Sequence, residues 1–164
     1  FKYVPYPDDN GKYRDGTALL KRGTIQPVTY YEINDRINDL DEELQFFMKN
    51  IDQYEIGEYI EQVAYFTYKF IVIHPFRDGN GRISRAIMNW LLSKKKIPPI
   101  YIDQKCRKEY YDALSKIDLE EDPVPFIMFI EKRIIHTMIE LHRYLFVDEI
   151  DEEEINEEAE VNGN

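Results

Sequence analysis

The sequence predicts a mainly α-helical domain carrying one small β-hairpin. Two observations carry this expectation. Apolar residues recur at the spacing of one helical face through residues 31–50, 54–73 and 125–146, and again from about Gly81 or Arg82 toward Lys94. Prolines and glycines gather between these runs and in the first 29 residues, where they read as turns. The chain has 164 residues, 43% of them apolar and 14% aromatic, enough for one sizeable core.

Taken in order, residues 1–23 carry turn signals at Pro5, Pro7, Asn10-Gly11 and Asp15-Gly16. Residues 17–29 mix short apolar pairs with Gly23 and Pro27, so a short hairpin is expected over residues 15–28. Residues 31–50 place Ile33, Ile37, Leu40, Leu44 and Phe47 on one side, with Asp and Glu between them as a solvated face. Residues 54–73 place Ile56, Ile60, Val63, Ala64, Phe70 and Ile71 largely at helical spacing. Pro75 disfavours helical geometry in its predecessor, so this helix should stop there with His74 at its exit. Gly79-Asn80-Gly81 is the entry turn of the next helix, whose apolar face is Ile83, Ile87, Trp90 and Leu91.

Lys94, Lys95 and Lys96 then suit the negative end of the helix dipole, a better account of them than nucleic-acid binding, and Pro98-Pro99 is a stop. Another helix is expected over residues 103–116. A long one follows over residues 125–146 with the stripe Ile127, Ile130, Ile134, Met138, Leu141 and Leu145, in which the methionine is core filler. His136 and His142 are six apart, share no face and show no metal-ligand spacing, so both are expected at the surface.

Residues 148–160 hold nine acidic residues and no basic ones, so residues 148–164 are expected to be an acidic, disordered tail following a domain over residues 1–147. Without those nine, 23 acidic residues face 21 basic ones, a net charge near −2 in place of −11, so the acidic balance says little about a site. No run approaches eighteen uninterrupted apolar residues and no basic-then-apolar leader opens the chain, so no membrane insertion or Sec-type secretion is expected. The single cysteine, Cys106, forms no internal disulfide and is expected to be a spectator thiol in a reducing, cytoplasmic setting.

Chemistry concentrates between His74 and Arg85. A glycine-rich turn opening a helix leaves backbone N–H groups unpaired at the positive end of the dipole, a ready phosphate site. Arg82 and Arg85 are neighbours on the first turn, and guanidinium forks suit phosphate oxygens. Cations there oppose the dipole, a mismatch that a bound anion would offset. Asp78, just before the turn, suits Mg²⁺, which prefers one or two carboxylates together with phosphate oxygens. His74 has an ordinary pKa close to neutral and suits proton abstraction from a hydroxyl over the turn. Each feature alone is commonplace in purely structural turns; their conjunction within twelve positions is what points to a site.

His74-Pro75-Phe76-Arg77-Asp78-Gly79-Asn80-Gly81-Arg82-Ile83-Ser84-Arg85 resembles the complete signature of the Fic domain, HPFx(D/E)GNGRxxR. The resemblance implies a Fic-like helical bundle with a β-hairpin flap. It also implies transfer of AMP from Mg-ATP to a Ser, Thr or Tyr hydroxyl of a target protein, with release of pyrophosphate. By that likeness His74 is the general base, Phe76 the apolar anchor of the motif loop, and Asp78 the ligand of the Mg²⁺ that bridges the α- and β-phosphates. Gly79, Asn80 and Gly81 form the anion hole, while Arg82 and Arg85 hold the β- and γ-phosphates. The target would lie along the flap by strand addition.

Gly81 stands where the Doc-like kinase branch typically has lysine, which favours nucleotidyl transfer. A kinase, a transferase of another nucleotide or of phosphocholine, and a non-catalytic nucleotide-binding module remain the alternatives. The inhibitory pattern (S/T)xxxE(G/N) of many Fic-like proteins has no match in the sequence. Restraint therefore comes from upstream of Phe1, from a separate protein, or from nowhere, and the sequence leaves the three open.

Overall fold

A computed structural model describes residues 11–18 and 25–161, with side chains as far as residue 146. Among the described residues the chain forms five α-helices and no strand: α1 (Ile33–Lys49), α2 (Ile56–Ile73), α3 (Asn80–Lys94), α4 (Arg107–Glu120) and α5 (Val124–Val161). The expected hairpin falls partly on residues 19–24, outside the described residues. Its described ends, residues 15–18 and 25–28, are not strands.

Helix α2 is the centre of the bundle and packs against α1, α3 and α5, with α4 closing on α5. The largely apolar sequence of α2 has a structural reason: Tyr59, Val63, Ala64, Phe66, Thr67, Phe70 and Ile73 are all buried, so the helix is covered on several sides. The Thr67 hydroxyl avoids an unmet bond by donating to the Val63 carbonyl at 2.7 Å. Glu55 and Glu58 form a reciprocal cap at the helix start, satisfying amides that have no intrahelical partner.

Two apolar stripes differ from the sequence expectation. On α3 the buried positions are Asn80, Ser84, Met88, Leu91 and Leu92, whereas Trp90 is exposed beneath the Lys94 ammonium, 4.7 Å above its ring. Neighbouring α2 covers a face rotated by about one residue from the one apolarity alone marks. On α5, Phe126, Phe129, Ile130 and Ile134 are buried, but Met138, Leu141 and Leu145 are exposed. Met138 is therefore not core filler: α5 outruns the bundle, and no helix accompanies its later turns among the described residues. Ile56, at the first turn of α2, is also exposed.

The backbone of α5 is helical through Val161, where the sequence reading places a disordered tail. Glutamate is a good helix former, and neither proline nor glycine interrupts the chain between Phe126 and Val161. His136 and His142 are exposed, as the spacing predicts. Cys106 is buried and its burial pushes the thiol pKa up, which keeps it protonated and unreactive. Among the described residues no helix is long and apolar enough to cross a membrane.

Candidate active site

The exit of α2 and the entry of α3 meet across six residues. His74 caps α2 in the left-handed conformation, φ 48° and ψ 56°, with its amide donating to the Phe70 carbonyl at 3.0 Å. A non-glycine residue there carries a cost of about 1–2 kcal/mol, and Pro75 removes the helical alternative. The chain is thereby turned away from α2 within one residue.

The half-buried imidazole presents Nδ1 to the Ile71 carbonyl at 3.3 Å. A carbonyl only accepts, so this bond assigns the proton to Nδ1 and leaves a lone pair on Nε2. Burial, and secondarily the Arg14 charge, hold the imidazole pKa below its ordinary value, while the Ile71 bond opposes them. The free base is therefore the resting form at neutral pH.

The loop between the helices is braced by Asn80. Its side chain accepts from the Phe76 amide at 3.0 Å and donates to the Phe76 carbonyl at 2.6 Å, and the residue is only 2% exposed. That side chain is spent on the loop, so an anion could meet Asn80 only through its backbone amide. Phe76 packs against the core and lies 5.8 Å from the Tyr13 ring, which suits an anchor of the motif loop. Gly79 is left-handed, φ 88°, a conformation that selects glycine.

The Gly79 carbonyl accepts from the amides of both Arg82, at 2.9 Å, and Ile83, at 3.0 Å. The amides of Asn80 and Gly81 precede these at the helix start and are the ones left to face a ligand. Both guanidinium groups fold back over the turn. A Cβ placed on Gly79 would sit 3.4 Å from Arg82 Nη2, and one on Gly81 would sit 3.4 Å from Arg85 Nη1.

Asp78 turns Oδ1 to the Gly79 amide at 2.7 Å and Oδ2 to Arg82 at 3.6 Å, with both side chains largely exposed. Among the described residues no three His, Cys, Asp or Glu side chains gather to hold a metal. The donor set therefore fits Mg²⁺ only in the form that needs one carboxylate and takes its other ligands from phosphate and water.

Behind α3, the buried Ser84 donates to the Gly81 carbonyl at 3.1 Å, and the buried Tyr110 of α4 is its neighbour. Burial raises the Tyr110 pKa to about 12, so the phenol stays neutral beneath the turn. Tyr110 and Arg14 were not singled out by sequence reasoning. They lie 26 and 60 residues from their partners, and no local pattern marks either.

The class so defined is a helical bundle in which a histidine at one helix exit stands beside a glycine- and arginine-bearing turn at the next helix entry. A family model described as the Fic/DOC family matches residues 3–92, more than half of the chain, and the chain belongs to that family. It is 30% identical over 139 residues to protein adenylyltransferase fic-1 of Caenorhabditis briggsae, covering 85% of this chain and 25% of that protein. It is 32% identical over 130 residues to protein adenylyltransferase Fic of Nematostella vectensis, covering 77% and 28% respectively.

Among solved structures, a Fic domain containing signaling protein from Bacteroides thetaiotaomicron superposes with a TM-score of 0.66 at 25% identity, covering 79% of this chain and 53% of that one. A Fic-1 chain from Caenorhabditis elegans gives 0.62 at 25% identity, covering 77% and 35%. The chain spans about a quarter of the length of the first curated relatives it matches.

Proposed function

We propose that this chain is a protein adenylyltransferase that moves AMP from Mg-ATP to a hydroxyl side chain of a target protein. The observation that carries the reading is the imidazole of His74, whose Nδ1 faces the Ile71 carbonyl and whose Nε2 is left as a base at the head of the arginine-flanked turn. The names of the relatives, protein adenylyltransferase in each case, support the same reaction.

In this reading His74 Nε2 takes the proton of a target Ser, Thr or Tyr hydroxyl. The hydroxyl oxygen bonds to the α-phosphorus as the bridging P–O bond to the β-phosphate breaks, releasing pyrophosphate. The amides of Asn80 and Gly81 and the guanidinium groups of Arg82 and Arg85 hold the phosphates in line. Asp78 would hold Mg²⁺, which supplies charge neutralisation on the phosphates when bound. The target would be held along residues 15–28. The lone reduced cysteine suits a cytoplasmic setting.

The test is incubation of the protein with Mg²⁺ and a cell lysate, using ATP labelled at either the α- or the γ-phosphate, with His74→Ala alongside. Label entering protein from the α-position alone, and falling about 10²- to 10⁴-fold in the variant, is the expected result. Label from the γ-position alone would reassign the chain as a kinase despite Gly81. An unimpaired His74→Ala would remove the histidine from the base role.

A further inference from the structure

Arg14 is a buried cation, 6% exposed, whose partners among the described residues are carbonyls and no carboxylate. Its Nε donates to the His74 carbonyl at 2.8 Å and its Nη1 to the Gly16 carbonyl at 2.7 Å. Its Nη2 donates to the Val28 carbonyl and, at 3.4 Å, to that of Ile73. Its own amide donates to the Pro75 carbonyl at 2.8 Å. Three consecutive residues around the helix exit, Ile73, His74 and Pro75, thus lend their carbonyls to one arginine.

The physical logic is that of a helix C-terminus. The last carbonyls of α2 have no intrahelical partner and carry the negative end of the dipole, so a cation with several donors satisfies them and is stabilised in return. A guanidinium presents five N–H groups in a planar fork, whereas an ammonium is a point charge that cannot span four carbonyls on two segments. The same fork grips Gly16 and Val28, the two ends of the segment proposed to receive the target. The Val28 amide adds a bond to the Val72 carbonyl at 3.1 Å.

We propose that Arg14 is the positioning residue of His74, holding the base in its left-handed turn and tying it to Gly16 and Val28. The inference rests on the reading of His74 as the base. Left-handed geometry at a histidine is unfavourable in isolation, and the carbonyls on either side of the His74 Cα, those of Ile73 and His74, are the ones the guanidinium holds. Loss of the fork frees the turn to relax, and the imidazole moves with it. Arg14 also stands as the charge whose field reaches the imidazole, while Asp78 and Arg82 on the following turn pair with each other.

Two full-length variants, Arg14→Met and Arg14→Lys, test this by two readouts. The first is the NMR titration of the His74 ring, assigned against His136 and His142 by its loss in His74→Ala. Arg14→Met should move its midpoint upward, because the repelling charge is gone while the apolar replacement keeps the site filled. The second is steady-state transfer. Both variants should lose about 10- to 100-fold in kcat, the usual effect of a small misplacement of a reacting group, with the KM for ATP within about twofold of the parent.

An Arg14→Met protein with an unmoved His74 midpoint and parental kcat would overturn the proposal. Should Arg14→Met fail to fold, Arg14→Lys decides by itself: a rise in KM matching the loss in kcat, or no loss at all, would count against a positioning role. If the parent protein transfers nothing, the adenylyltransferase reading fails, and the NMR titration still decides whether Arg14 acts on His74.

Discussion

His74 joins two properties that ordinarily oppose each other, a strained backbone and a chemically demanding side chain. The backbone sits at φ 48° because a helix must end within one residue before Pro75. The side chain is half-buried there and donates from Nδ1 to Ile71, which keeps Nε2 free of a proton. Burial is the main cause of its lowered pKa, the Arg14 charge a lesser one.

A pH profile follows. The base form persists below the ordinary imidazole value of about 6.5, so the acid limb of kcat/KM for transfer should have its midpoint beneath that value. A midpoint above it would contradict a buried neutral imidazole. The same depressed pKa acts on stability. Its contribution is complete above the unfolded-state value and is lost as pH falls through that value toward the folded one.

At the scale of elements, the site depends on how α2 and α3 are clasped. Met88, Leu91 and Leu92 are fully buried, and the buried Tyr59 phenol donates to the Leu91 carbonyl at 2.5 Å, far from water that could compete. This contact fixes the first turn of α2 against the last turn of α3, at the end of the seam away from the motif loop. Leu91→Ala should cost about 2–5 kcal/mol by leaving a cavity in that seam. Trp90→Ala, one residue away and 43% exposed, should cost less than about 1 kcal/mol. Urea melts of the two variants separate the cases, and equal losses would show that Trp90 is packed in solution.

At the scale of the whole molecule, the core and the charge occupy different parts of the chain. Among the described side chains the last buried residue on α5 is Ile134, and the acidic run begins at Asp148. Deleting residues 148–164 changes the formal charge from −11 to −2 and leaves every described residue of the core cluster in place. The melting temperature of the shortened chain should stay within about 2 °C of the parent, since the described core is kept whole. A fall of more than about 5 °C would mean that the acidic helical extension packs on the bundle. Surface ion pairs such as Asp15 with Arg77, at 2.9 Å, are exposed and add at most about 1 kcal/mol each.

The sequence by itself determined the helices around the site and the residues of the turn. Periodicity, Pro75 and the glycine turn are short-range signals, and α2 ends at Ile73 with His74 at its exit as they require. The candidate site, Asp78 through Arg85, could be picked out for the same reason: a turn and the first turn of a helix are contiguous in the chain. Only the tertiary structure decided which face of α3 is buried, because that depends on the neighbour α2 and not on the apolarity of Trp90. It also decided that the Asn80 side chain braces the loop and leaves only its amide for an anion. Above all it decided the role of Arg14. Sixty residues separate that arginine from His74, and a bond from a side chain to a backbone carbonyl asks nothing of the partner's identity, so nothing in the sequence of either residue records it.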